Sequence, residues 1–136
     1  MNLAAALYSR LASDPNLTAL LAVYDGEPAV FTTDPAPGAA SLPYIVSAGE
    51  VVNRPYDTKT TRGRECWRDV WCYSAATGSV AVVEEIAERV RSLLHRFPLE
   101  VAAHETWIAE VTGPIAADEE DAYGRILTLR LVVQED

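Results

Sequence analysis

No apolar run in this chain of 136 residues approaches the ~20 residues that a membrane-spanning helix needs. The opening Met-Asn-Leu-Ala-Ala-Ala-Leu also lacks the basic flank of a secretory signal. A membrane partner is therefore not expected, and synthesis in the cytoplasm is. Cysteine is scarce: Cys66 and Cys72 are the only two. Their even separation within one strand-like run puts both on one face, about 20 Å apart, whereas the Cα atoms of a disulfide lie ~6 Å apart. They lack metal-ligand spacing as well, so buried, reduced thiols are expected. The seven glycines never form a GxGxxG or GxxxxGK[ST] cradle, which removes the usual nucleotide phosphate sites. Ser79 follows Gly78 without a G-x-S-x-G elbow and suits a helix cap better than a nucleophile. Basic residues are few, 11 against 20 acids for a net charge of −9, which argues against a broad nucleic-acid-binding face. Neither His95 nor His104 has a second ligand or base placed by spacing. No catalytic residue, cofactor or metal is expected.

What is present is the composition of a soluble globular protein: 49% hydrophobic, 23% charged, mean hydropathy +0.02. The length fits one domain, 1–136, able to bury about two-thirds of its unfolded surface. Leu3, Leu7 and Leu11 form one stripe of a short helix, Asp14-Pro15 starts a second through Leu17, Leu20 and Leu21, and Tyr24 to Pro28 is a turn. Val30 to Pro43, with Pro35, Pro37, Gly38 and Pro43, reads as an irregular connector. Tyr44 to Val52 is the first main strand and Glu65 to Tyr73 the second. In the second, Trp67, Asp69, Trp71 and Tyr73 share one face and Cys66, Arg68, Val70 and Cys72 the other. With helices on one side only, one row is left for another subunit to bury, unless the N-terminal helices cover it.

After cap residues at Thr77-Gly-Ser79, Val83, Ile86, Ala87, Val90, Leu93, Leu94 and Phe97 mark the strongest helix, supported outside by Glu85 and Arg89 and ended by Pro98. Leu99 to Val111 is a third strand, with Val101, Ala103, Trp107, Ala109 and Val111 on one face. Thr112 to Ala122 is a long acidic loop. Leu127, Leu129, Leu131 and Val133 alternate along the last strand. The expected fold is α+β: an antiparallel sheet of about four strands, with a long helix and short N-terminal helices packed against it and a long hairpin tongue.

Two charged segments stand out. From Arg54 to Arg64 the tongue holds Arg54, Lys59, Arg62 and Arg64 against Asp57, a net charge of +3 in an acidic chain. It has no aliphatic anchor and reads as a docking arm for an acidic neighbour or a solvated loop. Asp118, Glu119, Glu120 and Asp121 form a run of opposite sign. That run lacks the alternating ligands and turn glycine of a calcium loop, so it reads as solvated.

The succession of features then supplies a resemblance. Ala-Leu-Tyr8 in a first helix is followed by Asp-Pro-Asn-Leu-Thr-Ala-Leu-Leu21, a Pro-rich crossing to Leu-Pro-Tyr-Ile-Val46 and a polar tongue. Arg-Asp-Val-Trp-Cys-Tyr73 then runs into the helix Val82 to Leu94 and two final strands. Over nearly the full chain this order resembles the tail-completion, or tail-terminator, proteins of long-tailed bacteriophages and related gene transfer agents. The Leu-Pro-Tyr strand start and the Asp-Val-Trp strand match best, while the acidic loop and Trp67 depart from the pattern.

The resemblance implies a structural virion protein with no enzymatic role. It would form a homo-oligomeric ring, commonly of six copies, that caps the head-proximal end of the tail tube, terminates tube polymerisation and offers a surface to the head–tail connector. DNA would pass through the lumen without specific binding, and the protein would wait in the host cytoplasm before assembly. The tongue and the acidic loop are its candidate interfaces. A head-side neck adaptor of the same joint is the nearest alternative. A small α+β enzyme using His104 and Glu105, or the acidic loop, is another.

Overall fold

A computed structural model describes residues 2–32, 36–47 and 49–135. Two helices open the chain, α1 (Leu3–Ala12) and α2 (Pro15–Thr18), followed by the short strands β1 (Val23–Tyr24), β2 (Glu27–Pro28), β3 (Val30–Phe31) and β4 (Tyr44–Val46). Then come β5 (Glu50–Pro55), β6 (Gly63–Ala75), α3 (Ala81–Leu94), β7 (His104–Ala116) and β8 (Ala122–Glu135). Strands β1 and β2 form a hairpin of their own. The main sheet has six strands in the order β3-β4-β6-β8-β7, with β5 also pairing β6; every pairing is antiparallel except β3 with β4. The expectation of about four strands is corrected to six. The additional strands are short pieces that propensity does not separate from loop.

The alternation expected in β6 and β8 is observed and sets the two faces of the sheet. Cys66, Val70 and Cys72 and the row Leu127, Leu129, Leu131 and Val133 lie buried in one core with Val83, Ile86, Ala87, Val90 and Leu94 of α3 and Leu3, Leu7 and Leu11 of α1. Burying each Val, Leu or Ile side chain of this core contributes about 2 kcal/mol. Both cysteines are buried and neither is in a disulfide, and burial pushes the Cys72 thiol up to about 12. The N-terminal helices pack on the α3 side and do not cover the Trp67 row, of which Tyr73 and Trp71 are packed into a second small core instead.

Helix α3 ends at Leu94, short of Pro98, and Phe97 is 57% exposed rather than part of the buried stripe. Arg10 of α1 takes up the loose carbonyls there, donating to Leu93 O (2.9 Å) and Pro98 O (2.8 Å).

Four strand boundaries differ from the sequence expectation, each for a local reason. Tyr44 to Val52 is two strands: β4 pairs residues 71–73 of β6 and β5 pairs residues 64–68. Between them Gly49 takes φ +76°, and buried Ser47 accepts from Arg68 Nε (3.0 Å) and Nη2 (2.8 Å) through its hydroxyl and carbonyl. Val30 to Pro43 was expected to exclude a regular element, yet Val30–Phe31 pairs with Ile45 and Val46; Pro35 lies outside the described residues. The third strand begins at His104 rather than Leu99, and a bulge between Thr106 and Ile108 leaves Trp107 41% exposed instead of in the apolar row. The breaker pair Gly113-Pro114 does not end β7, because a second bulge between Thr112 and Ile115 absorbs it at the sheet edge.

Asp14 ties the helical layer together. One oxygen caps Leu17 N (2.8 Å) at the start of α2, and the carboxylate receives Arg89 of α3 through Nε (2.9 Å) and Nη2 (2.7 Å). Arg89 therefore pairs with Asp14, not with Glu85. The Arg89 hydrogen bond, helped by the Leu17 amide and opposed by burial, holds the Asp14 carboxyl below its ordinary range. A carboxyl depressed in the folded state adds stability that is complete above its unfolded value and lost as pH falls through the folded one. Asp14→Ala should cost about 1 kcal/mol through the cap alone. Asp14→Asn keeps an acceptor, so its deficit at neutral pH should shrink as denaturant midpoints are taken into the acid range. A deficit that ignores pH would count against the ion pair.

Candidate interaction surfaces

The expected tongue is an ordered hairpin end rather than a free loop. Arg54 pairs with Glu65 and Pro55 with Arg64 in the β5–β6 ladder. Beyond them Tyr56 N donates to Gly63 O (2.9 Å) and Thr58 N to Thr61 O (3.0 Å). Asp57 Oδ1 accepts the Gly63 amide at 3.1 Å. A Cβ on Gly63 would fall 2.5 Å from Tyr56 O and 2.8 Å from Val133 O, so only glycine permits this closure. The four cations are not equivalent. Arg54 is bound to Glu65, and Arg64 reaches Asn53 Oδ1 (3.0 Å) and Glu135 (3.8 Å). Lys59 and Arg62 are exposed and have no ion pair among the described residues.

The acidic segment is likewise shorter than expected, a turn of residues 117–121 between β7 and β8. Ala117 N donates to Gly124 O (3.0 Å) and Glu119 N to Ala122 O (2.8 Å). Asp118 Oδ1 accepts the Gly124 amide at 3.1 Å and Arg125 Nη1 at 2.9 Å. Asp118 thus serves the turn, while Glu119, Glu120 and Asp121 are exposed without an ion pair among the described residues. Glu119, after burial, contributes to raising the Tyr44 phenol above its ordinary value. The two charged ends do not come together in one chain. The β6–β8 ladder runs from Gly63↔Gln134 to Ala75↔Ala122, which at ~3.3 Å per residue separates them by about 40 Å.

Between the ends lies the sheet face away from the helices. At its acidic end a run of aromatics, Tyr24, Phe31, Tyr44, Tyr73 and Trp71, links neighbouring rings at 5.3 to 6.2 Å and closes a second small core with Val46 and Ala122. At the cationic end a row of alternating charge crosses four adjacent strands: Arg54, Glu65, Arg130 and Glu110. Glu65 is 2% exposed. It accepts from Arg54 on one oxygen and from Arg130 Nε (2.8 Å) and Nη2 (2.6 Å) on the other, and Arg130 Nη1 lies 3.7 Å from Glu110. The Arg130 guanidinium stands 5.8 Å from the Trp67 ring centroid. Arg130 first, then Arg54, hold the Glu65 carboxyl low against the opposing effect of burial. Sequence reasoning missed this row, because its members are partners only once the register is known.

The residues weighed for chemistry have structural duties. His95 Nδ1 accepts the Val111 amide (3.1 Å), and Arg96 N donates to Ala109 O (2.7 Å), so the segment after α3 covers the middle of edge strand β7. His104 Nδ1 lies 2.7 Å from Ala102 O, and Ser79 Oγ accepts the Ala81 amide at the start of α3. Among the described residues no group of three or more His, Cys, Asp or Glu is placed to hold a metal ion.

Two substitutions probe these surfaces. Glu65→Gln leaves two guanidinium groups facing a neutral acceptor and should lower the thermal midpoint. Acidification should erase that difference, as the wild-type carboxyl protonates through its depressed folded value. Gly63→Val should splay the hairpin. Hydrogen exchange would then speed up at Tyr56 and Thr61 while amides in the middle of the β6–β8 ladder stay protected; equal loss across the ladder would contradict a local role.

No curated protein sequence matches this chain. Among solved structures, a chain from "Virion of native gene transfer agent (GTA) particle" aligns with a TM-score of 0.78 at 24% identity, covering 97% of this chain and 94% of that one. At this identity the likeness shows a common fold. The family model described as tail completion protein gp17 matches residues 5–134, nearly the whole sequence, from within α1 to within β8. The chain belongs to the tail completion protein gp17 family.

Proposed function

We propose that this virion tail protein is a ring subunit at the head-proximal end of the tail tube, where it stops tube polymerisation and offers the surface to which the head connector joins. The family match over residues 5–134 carries the reading, and the fold shared with a chain of a gene transfer agent virion supports it. The chain acts as one unit, 1–136, and six copies per ring is the number the resemblance suggests. A closed ring of identical subunits needs two different, mutually complementary patches on each. The cationic hairpin with Arg54, Lys59, Arg62 and Arg64 and the acidic turn with Asp118, Glu119, Glu120 and Asp121 are such patches, at opposite ends of one sheet.

DNA leaving the head would cross the lumen without being gripped, since a subunit with a net charge of −9 repels phosphate. Before assembly the protein resides in the host cytoplasm, and its partners are the tail tube protein and the head–tail connector.

Electron microscopy of particles from the parent genome with this gene deleted tests the role. Overlong or ragged tails detached from filled heads are expected. Tails of normal length without heads would move the protein to the head-side neck, and normal infective particles would end the morphogenetic reading. Within the same system, Lys59→Ser with Arg62→Ser should abolish capping while circular dichroism and the thermal midpoint stay unchanged, because both side chains are exposed and neither has an ion pair among the described residues.

A further inference from the structure

We infer that the cationic hairpin of one subunit docks on the acidic turn of the next, so that copies join end to end through residues 59 and 62 on one side and 119–121 on the other. The inference rests on the ring reading and names the contact that builds it.

Both ends are prebuilt, and in the same way. In each, an aspartate accepts the amide of a glycine six residues later at 3.1 Å: Asp57 from Gly63 and Asp118 from Gly124. In each, a Cβ on that glycine would overlap a backbone carbonyl, of Tyr56 in one and Ala117 in the other. Each aspartate is engaged in holding its own turn closed. What projects from one end is Lys59 and Arg62; what projects from the other is Glu119, Glu120 and Asp121. Docking two closed hairpin ends orders little backbone, so the charge attraction is not offset by a large entropy loss.

The sheet geometry makes the contact intermolecular. The ends stand about 40 Å apart along β6 and β8, so one chain cannot satisfy both, and neighbours in a head-to-tail row can. Sign also excludes the wrong pairings. Hairpin on hairpin and turn on turn are both repulsive, which leaves hairpin on turn. A two-fold pair making that contact twice would stop the cross-linked ladder described below at the dimer and so overturn the head-to-tail arrangement.

A cysteine pair tests the contact in assembled tails. Arg62→Cys with Glu120→Cys is introduced into one chain, the tails are purified and oxidised, and the products are separated without reductant. Cys66 and Cys72 are buried and stay silent. A ladder rising from dimer to the full ring is expected, absent from either single-cysteine variant. Capped tails that give no ladder, or in which the thiol introduced at position 62 is joined only to a different protein, would overturn the contact and leave the ring standing. Absence of this chain from purified tails would overturn the ring and the contact together. A charge exchange gives an independent reading. Lys59→Glu with Arg62→Glu should cut the yield of capped particles about tenfold or more, and adding Glu119→Lys with Glu120→Lys to the same chain should restore it. Failure to restore, with the quadruple variant folded, would also overturn the contact.

Discussion

The unbroken ladder between β6 and β8 is the constraint from which the other features follow. Every residue from Gly63 to Ala75 has a partner from Gln134 to Ala122, without a bulge. In such a ladder a slip of one residue would exchange the two faces. Cys66, Val70 and Leu131 would then point to water, and Glu65 would point under α3. The register therefore decides at once what α3 can cover and which charges meet on the far side. The rest attaches to this pair: β4 and β5 share the outer edge of β6 end to end, and β7 follows β8 with two bulges.

How much of this could be read from the residues depends on how far each signal reaches along the chain. Alternation in Leu127, Leu129, Leu131 and Val133 and the spacing of Val83, Ile86, Ala87 and Val90 are local signals, and the structure places those side chains in the core as expected. The parity of β6 was equally legible, down to the two cysteines on the buried face. Bulges defeat this kind of reading because they shift parity without a composition change, as at Trp107. Gly113-Pro114 misled for a related reason: both residues break strands in general, but an edge strand tolerates them. The split between β4 and β5 turns on Arg68 reaching Ser47 twenty-one positions away, which no window of neighbouring residues reveals. The charged segments were visible as composition, but their closure by Asp57 and Asp118 was not.

Two kinds of electrostatics coexist here. Inside the fold, charges are matched: Asp14 with Arg89, Glu65 with Arg54 and Arg130, Asp118 with Arg125. Asp14–Arg89 and Glu65–Arg130 join elements far apart in sequence and so specify the packing of helices and strands, whereas Arg54–Glu65 and Asp118–Arg125 each tie one hairpin. At the two hairpin ends Lys59, Arg62, Glu119, Glu120 and Asp121 are exposed and unmatched among the described residues, where pairing within the chain would add little. In the proposed contact their value lies outside the subunit.

The Asp57–Gly63 and Asp118–Gly124 closures carry a consequence for how such proteins diverge. Each hairpin keeps its shape through one aspartate and one glycine, which leaves the residues that project from it free to change at little cost to folding. Under the proposed contact, lineages of particles could acquire private charge codes, changed in step at both ends, on an unaltered scaffold. If the proposed contact builds the proposed ring, then in a cell making two related tails at once subunits would sort by code.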